Sequence, residues 1–117
     1  MRGQPLLLLN TVGATTGKQR QTILCRFPDP HRPGASLIVG SMNGAKRHPD
    51  WCYNLAKNPH QVTINLGDSE MNVSAETLKG AERDEAWKRI VAVAPAYGKY
   101  ETKTDRQMPV FRLTPVQ

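Results

Sequence analysis

Residues 62–75 read VTINLGDSEMNVSA, and this stretch decides the fold. Val62, Ile64 and Leu66 alternate with Thr63 and Asn65, the two-residue period of a strand with one buried face. Gly67-Asp68 turns the chain, and Met71, Val73 and Ala75 resume the alternation. Two alternating runs around a short glycine-containing turn predict an antiparallel hairpin.

Working back from the hairpin, Pro49 suits the first turn of a helix, where its missing N–H is no loss. That helix runs through Trp51, Tyr53 and Leu55 and stops before Pro59, because a residue preceding proline avoids the α region. Earlier still, Ser36 to Ser41, Gln21 to Phe27 and Pro5 to Val12 have the length and apolar content of strands. Pro28, Asp29, Pro30, Pro33 and Gly34 form the loop between two of them. Beyond the hairpin, Ala81 to Val93 has acidic residues in its first turns and Trp87, Ile90, Val91 and Ala94 on one face, which predicts a helix ending at Pro95. Met108 to Leu113 is a last strand. The sum is an α+β, mainly β chain: about six mostly antiparallel strands and two or three helices, without βαβ alternation. A small barrel with helical insertions accommodates that order.

At 117 residues the chain is expected to be a single domain spanning 1–117. A core this small leaves little room for an elaborate protein-built catalytic centre, so any difficult chemistry falls to a bound cofactor. Sixteen Lys and Arg against ten Asp and Glu give a net charge of +6, a field that attracts nucleic acid, anionic membrane or a phosphorylated cofactor. Aromatics are only 6% and are not interleaved with the basic loops, which argues against nucleic acid. Cys25 and Cys52 form no C-x-x-C pair and neighbour no histidine cluster, so no metal is expected. His31, His48 and His60 lie scattered on loops. The apolar run Leu6–Leu9 is too short to cross a bilayer, so a soluble, cytoplasmic protein is expected, with peripheral membrane contact left open.

Two basic loops are the candidate site. Gly13-Ala14-Thr15-Thr16-Gly17-Lys18-Gln19-Arg20 is not a Walker A loop: only three residues separate its glycines, and Gln19 stands where a metal-binding Ser or Thr is required. Its glycines still permit a sharp turn with exposed N–H groups, flanked by two hydroxyls and two cations. Gly44-Ala45-Lys46-Arg47-His48-Pro49 leads into a helix N-terminus, which favours anions. The bland reading of each is a solvated turn. Read together, the loops predict a cradle for an extended polyanion at one rim of the barrel. Trp51 and Tyr53, two apart on a helix, face different sides. One is expected in the core and the other at the cleft. Tyr97 and Tyr100 share a face of a helical turn and either cap the barrel or line a substrate pocket.

In order and spacing these residues resemble a known family. Thr11, Gly13, Thr16, Gly17 and Arg20 fit its first loop, and Gly40-Ser41 its third strand end. Gly44, Pro49, Trp51 and Asn54, with Asn58-Pro59, fit its helix. Tyr97, Tyr100, Thr104, Arg106, Pro109 and Val110 fit its tail. The chain resembles, over nearly its whole length, the deazaflavin (coenzyme F-420)-dependent nitroreductases, split β-barrel flavin/deazaflavin oxidoreductases found mainly in actinobacteria. The resemblance implies a split barrel and hydride transfer from reduced coenzyme F-420 to a quinone, nitroaromatic or activated alkene. It places Ala14, Thr15, Thr16, Lys18, Arg20, Gln21, Thr22, Ile23, Leu24 and Cys25 along the coenzyme. Val39, Gly40, Ser41 and Met42 come beside the ring, and Asp50, Trp51, Cys52, Tyr53 and Asn54 further along. Tyr97 closes the substrate side, and Ser41 and Tyr97 are the candidate catalytic residues. Ala94, Cys25 and Met42 depart from the family's pocket tyrosines and lysine, which implies a reshaped acceptor site, and an amino-terminal helical segment of some relatives is absent from the sequence. The readings that compete are an FMN-binding member of the same barrel class and a deazaflavin-binding protein without catalysis. As monomer or homodimer, the chain needs only a small-molecule acceptor.

Overall fold

The structure is a computed structural model and describes residues 5–40, 50–102 and 108–116. The strands are β1 (Leu6–Val12), β2 (Gln19–Cys25), β3 (Phe27–Pro28), β4 (Ser36–Val39), β5 (Val62–Asn65), β6 (Glu70–Thr77) and β7 (Val110–Pro115). The helices are α1 (Asp50–Lys57), α2 (Gly80–Val93) and α3 (Ala96–Thr102). All seven strands form one antiparallel sheet in the order β2-β1-β5-β6-β7-β4-β3.

That order explains the barrel. The two edge strands, β2 and β3, are consecutive in sequence and separated only by Arg26. A sheet whose opposite edges are joined by one residue must curl until they meet. Arg26 makes the corner: its N–H donates to Pro5 O at 2.8 Å, and its Nε donates to Ser36 Oγ at 2.8 Å. The second strand therefore ends at Cys25 rather than running through Phe27, as the sequence had suggested, and Phe27–Pro28 pairs with β4 instead. No glycine or proline marks that break. The last strand also shifts: it starts at Val110 and runs to Pro115, because β6 offers partners as far as Val73 opposite Pro115. The hairpin of residues 62–75 is present, with Val62 opposite Val73 and Ile64 opposite Met71.

Two cores share the sheet. Inside the barrel, Leu7, Leu9, Ile38, Val62, Ile64, Val73, Phe111 and Leu113 pack with Trp51, Cys52 and Leu55 of α1, which plugs one end. Outside it, Leu37, Val39 and Val110 pack with Ala86 and Ile90 of α2 and with Tyr97 of α3. β4 is buried on both faces, which is why Leu37-Ile38-Val39 is uninterruptedly apolar. A fully buried Leu or Ile contributes about 1.5–3 kcal/mol, so this double-sided strand is a large part of the stability.

β7 carries one charged residue. Arg112 lies beneath α2 with its side chain 3% exposed. It donates from Nε to Asp29 Oδ2 at 2.6 Å, from Nη1 to Glu76 Oε1 at 2.7 Å and from Nη2 to Glu82 Oε2 at 3.0 Å. One guanidinium thus ties the proline-rich loop, β6 and α2 to β7. Burial alone would favour the neutral arginine, yet these carboxylates hold its pKa above the ordinary value. Burial likewise pushes the Asp29 carboxyl up, but the His31 N–H and Arg112 more than offset this and hold it below its usual range. Arg83 reinforces α2: it donates to Met108 O and lies 4.6 Å from the Trp87 ring centre.

Candidate active site

β1 and β2 position the first wall of a cleft. Directly paired residues share a face, so Arg20, Thr22 and Leu24 lie on the side of Thr11, Leu9 and Leu7, the barrel interior. Along β2 that face passes from Leu24, against the core, to half-buried Thr22 and then to exposed Arg20 at the mouth. Gln21 and Ile23 point the other way, and Ile23, opposite Leu8, is 67% exposed. The contiguous run 20–25 therefore splits between two faces, as strand geometry requires.

The turn between these strands is tightly closed. Gly13 N–H donates to Lys18 O at 2.7 Å and Gly17 N–H to Gly13 O at 3.0 Å. Gly17 sits at φ +71°, a conformation costly for other residues, and a Cβ on Gly13 would lie 2.6 Å from Thr16 Oγ1. The sequence of the turn predicts that it offers its N–H groups to an anion. Those of Gly13, Ala14, Gly17 and Lys18 are instead committed to protein acceptors, the last two to Gly13 O and Thr16 Oγ1. The glycines serve to shape the turn.

α1 is the facing wall. Its one buried ring is Trp51, packed 5.6 Å from Phe111, while Tyr53 is 46% exposed and lines the cleft. Among the described residues the cleft encloses about 730 Å³ and is lined by Gly13, Ala14, Thr15, Thr16, Arg20, Gln21, Thr22, Asp50, Trp51, Tyr53 and Asn54. That volume falls in the range of small-molecule and cofactor sites. Its strand side offers the Arg20 guanidinium and threonine hydroxyls, donors suited to phosphate or carboxylate oxygens. Its helix side opens on the Asp50 carboxylate, favourably placed in the first turn of α1.

Ten of the expected coenzyme residues thus come together here. The others are placed elsewhere. Lys18 is exposed on the turn and does not line the cleft. Leu24 and Cys52 pack in or against the inner core, and Cys25 and Val39 belong with the outer one. Gly40 is buried, where an added Cβ would lie 2.5 Å from Cys52 Sγ and 2.8 Å from Pro109 Cγ. Tyr97 is 7% exposed and packs edge-on against Phe27 at 5.9 Å, with Trp87 at 6.4 Å. Ser41, Met42 and the basic cluster at Lys46-Arg47-His48 lie outside the described residues. Gly13 lines the cleft although only its motif role was anticipated. The bonds from Asn54 and Asn58 to β1 were not anticipated, and the sole signal for them was the pairing of asparagines at a helix end.

A curled antiparallel sheet, plugged by one helix and opening on a cleft with cationic and hydroxyl donors, places the chain in the split β-barrel class, with a cleft suited to an anionic small molecule. Comparison with known sequences narrows the class: the pattern of the F420H(2)-dependent quinone reductase family matches residues 1–115, and the chain belongs to that family. It is therefore a coenzyme F-420-dependent reductase that passes electrons to a small-molecule acceptor. The Mycobacterium tuberculosis H37Rv protein Rv3178, provisionally assigned as a quinone reductase of this kind, is 29% identical over 111 residues, 95% of this chain and 90% of that protein. The solved structure of an F-420-dependent reductase, FDR-A, is 38% identical with a TM-score of 0.81, covering 93% of each chain. A second structure, described as a domain-swapped dimer, has the same identity and TM-score over 93% of this chain and 79% of that one.

Proposed function

We propose that the cleft between the Gly13–Lys18 turn and α1 holds the coenzyme, and that the acceptor is a quinone, a nitroaromatic or an activated alkene. The observation that carries this is the convergence of ten expected residues, from three separate elements, on one cofactor-sized cleft. Arg20, Thr15 and Thr16 would hold anionic oxygens, with Lys18 adding long-range attraction from the turn. Tyr53 and Trp51 would flank the bound molecule, and Asp50 would keep its anionic end on the strand side by repulsion. When bound, the reduced coenzyme supplies a hydride. The chain supplies position and a low-dielectric wall, built from the inner core behind Leu24 and Trp51. Ser41 would stand on the acceptor side, where a hydroxyl steadies developing negative charge or passes a proton. Tyr97, whose ring packs against Phe27 and Trp87 outside the cleft lining, would act there only through its hydroxyl.

The family match favours a quinone first among the acceptors. The test is oxidation of reduced coenzyme by a panel of quinones, nitro compounds and enones, followed by the return of the oxidised deazaflavin absorbance. Steady turnover with at least one class, weakened in Ser41→Ala and Tyr97→Phe, supports the assignment. Full turnover in both variants removes these residues from the chemistry. Nucleic acid has no place in this scheme, and binding to random DNA with a steep salt dependence would contradict it. Among the described residues no helix is long and apolar enough to cross a membrane. Peripheral contact with an anionic membrane is a separate part of the proposal, and sedimentation with anionic vesicles reads it directly.

A further inference from the structure

α1 and the Gly13–Lys18 turn lie some forty residues apart in sequence, |i−j| being 40 between Ala14 and Asn54, yet they form facing walls of one cleft. Two side-chain amides join them. Asn54 accepts the Ala14 N–H at Oδ1 over 2.9 Å and donates from Nδ2 to Thr11 Oγ1 over 3.2 Å. Asn58 donates from Nδ2 to Val12 O at 3.2 Å. The Asn58 N–H in turn bonds Asn54 O at 2.9 Å, so the helical spacing brings both amides to the same side of the helix end. The end of β1 and the start of the turn, residues 11 to 14, are thereby gripped from α1 at three points. Thr11 is 3% exposed and Asn54 7%, so the grip is shielded from water. In that setting an orphaned partner costs more than the bond itself contributes.

We propose that Thr11, Asn54 and Asn58 are positioning residues that latch the turn to α1, so that Thr15, Thr16 and Arg20 are aligned before the coenzyme arrives. The proposal rests on the reading of this cleft as the coenzyme site. It gives Asn54 a different part from the direct contact its place on the cleft wall implies: each polar end of its amide already has a protein partner. A preorganised turn binds more tightly because less ordering is left to be done on binding. The latch acts on the anion-gripping turn and leaves the hydride-transfer step itself alone. Its loss is therefore expected in the affinity and KM for the coenzyme, with kcat at saturating coenzyme maintained.

The test uses Thr11→Val, which removes the hydroxyl but keeps the shape, and Thr11→Ser, which restores the hydroxyl. In coenzyme-free protein, Thr11→Val is expected to speed hydrogen exchange of the Ala14 amide about tenfold. It should also raise both the Kd and the KM for coenzyme F-420 by about fivefold to tenfold, the scale of one lost hydrogen bond. The kcat should stay within twofold, and Thr11→Ser should return all three quantities to wild-type values. Unchanged Ala14 exchange in Thr11→Val would overturn the latch. Faster exchange with unchanged Kd would show a real latch beside a cleft that is not the coenzyme site, overturning the functional reading instead. A fall in kcat without a change in Kd also overturns the proposal. Should Thr11→Val fail to fold, Asn58→Ala removes only the bond to Val12 O from a half-buried side chain. It is expected to shift exchange and Kd the same way by about threefold, and no shift in either would count against the latch.

Discussion

Replacing Arg112 by methionine removes the cation from the buried junction of four elements while keeping much of its volume. Glu76 and Glu82 are about half exposed at their side chains, 53% and 56%, so both can turn to water when the guanidinium goes. Asp29 cannot: its side chain is 1% exposed, and among the described residues it keeps only the His31 N–H at 2.9 Å. The cost is therefore mainly that of stranding one carboxylate, about 3–5 kcal/mol for a broken buried pair. For a chain of this length about 4 °C of melting temperature goes with each kcal/mol, so a drop of about 12–20 °C is expected by calorimetry or circular dichroism. The double variant Asp29→Asn/Arg112→Met, with no stranded charge, should recover at least half of the loss. Arg112→Lys should fall between, since an ammonium cannot match the guanidinium fork. If Arg112→Met costs under about 1 kcal/mol, or the double variant is no better than the single, the junction is not the electrostatic tie described here.

The same pair sets an acid limit. The Asp29 carboxyl is held below its usual range in the folded protein, so its stabilising contribution is complete above the unfolded carboxylate value of about 3.9 and is lost as pH falls toward the folded value. The stability advantage of wild type over Asp29→Asn in urea titrations should be flat from pH 7 to about 5 and shrink below about 4. An advantage that grows on acidification would reverse the sign of the argument. Gly40→Ala should cost about 1–3 kcal/mol, because its methyl meets Cys52 Sγ at 2.5 Å and Pro109 Cγ at 2.8 Å. Adding Cys52→Ala should return part of that in chemical denaturation, and an additive double variant would show that the sulfur is not the obstacle. Gly13→Ala drives a methyl to 2.6 Å from Thr16 Oγ1 and should weaken coenzyme binding more than it lowers the melting temperature.

The alternation in 62–75 was legible because one face of that hairpin packs into a single core, which forces a period of two. Leu37-Ile38-Val39 was legible as a strand, but its burial on both sides was not, since an apolar run does not say how many layers cover it. The corner at Arg26 left no trace, because its causes are hydrogen bonds to Pro5 and Ser36, neither of them a neighbour in the chain. Arg112 was hidden for the same reason: its partners come from positions 29, 76 and 82, and no local pattern links them. At the site, residue types and order pointed to the loop and helix that line the cleft, and the strand's two-sidedness then separated Thr22 from Ile23. The glycines showed a turn, while their N–H groups proved to be used inside it. Tyr97 illustrates the limit of spacing: its helical position is as read, and its ring lies against Phe27 and Trp87.

The account stands most directly on the affinity of coenzyme F-420 for wild type and for Arg20→Ala, measured by titration at low and at physiological salt, with FMN run in parallel. Saturable binding that weakens about tenfold in Arg20→Ala, softens with salt and exceeds that of FMN is the predicted result, since charge-assisted bonds at a cleft mouth are both strong and screened. Equal affinity in the two proteins, or preference for FMN, would contradict the placement of an anionic deazaflavin between the turn and α1.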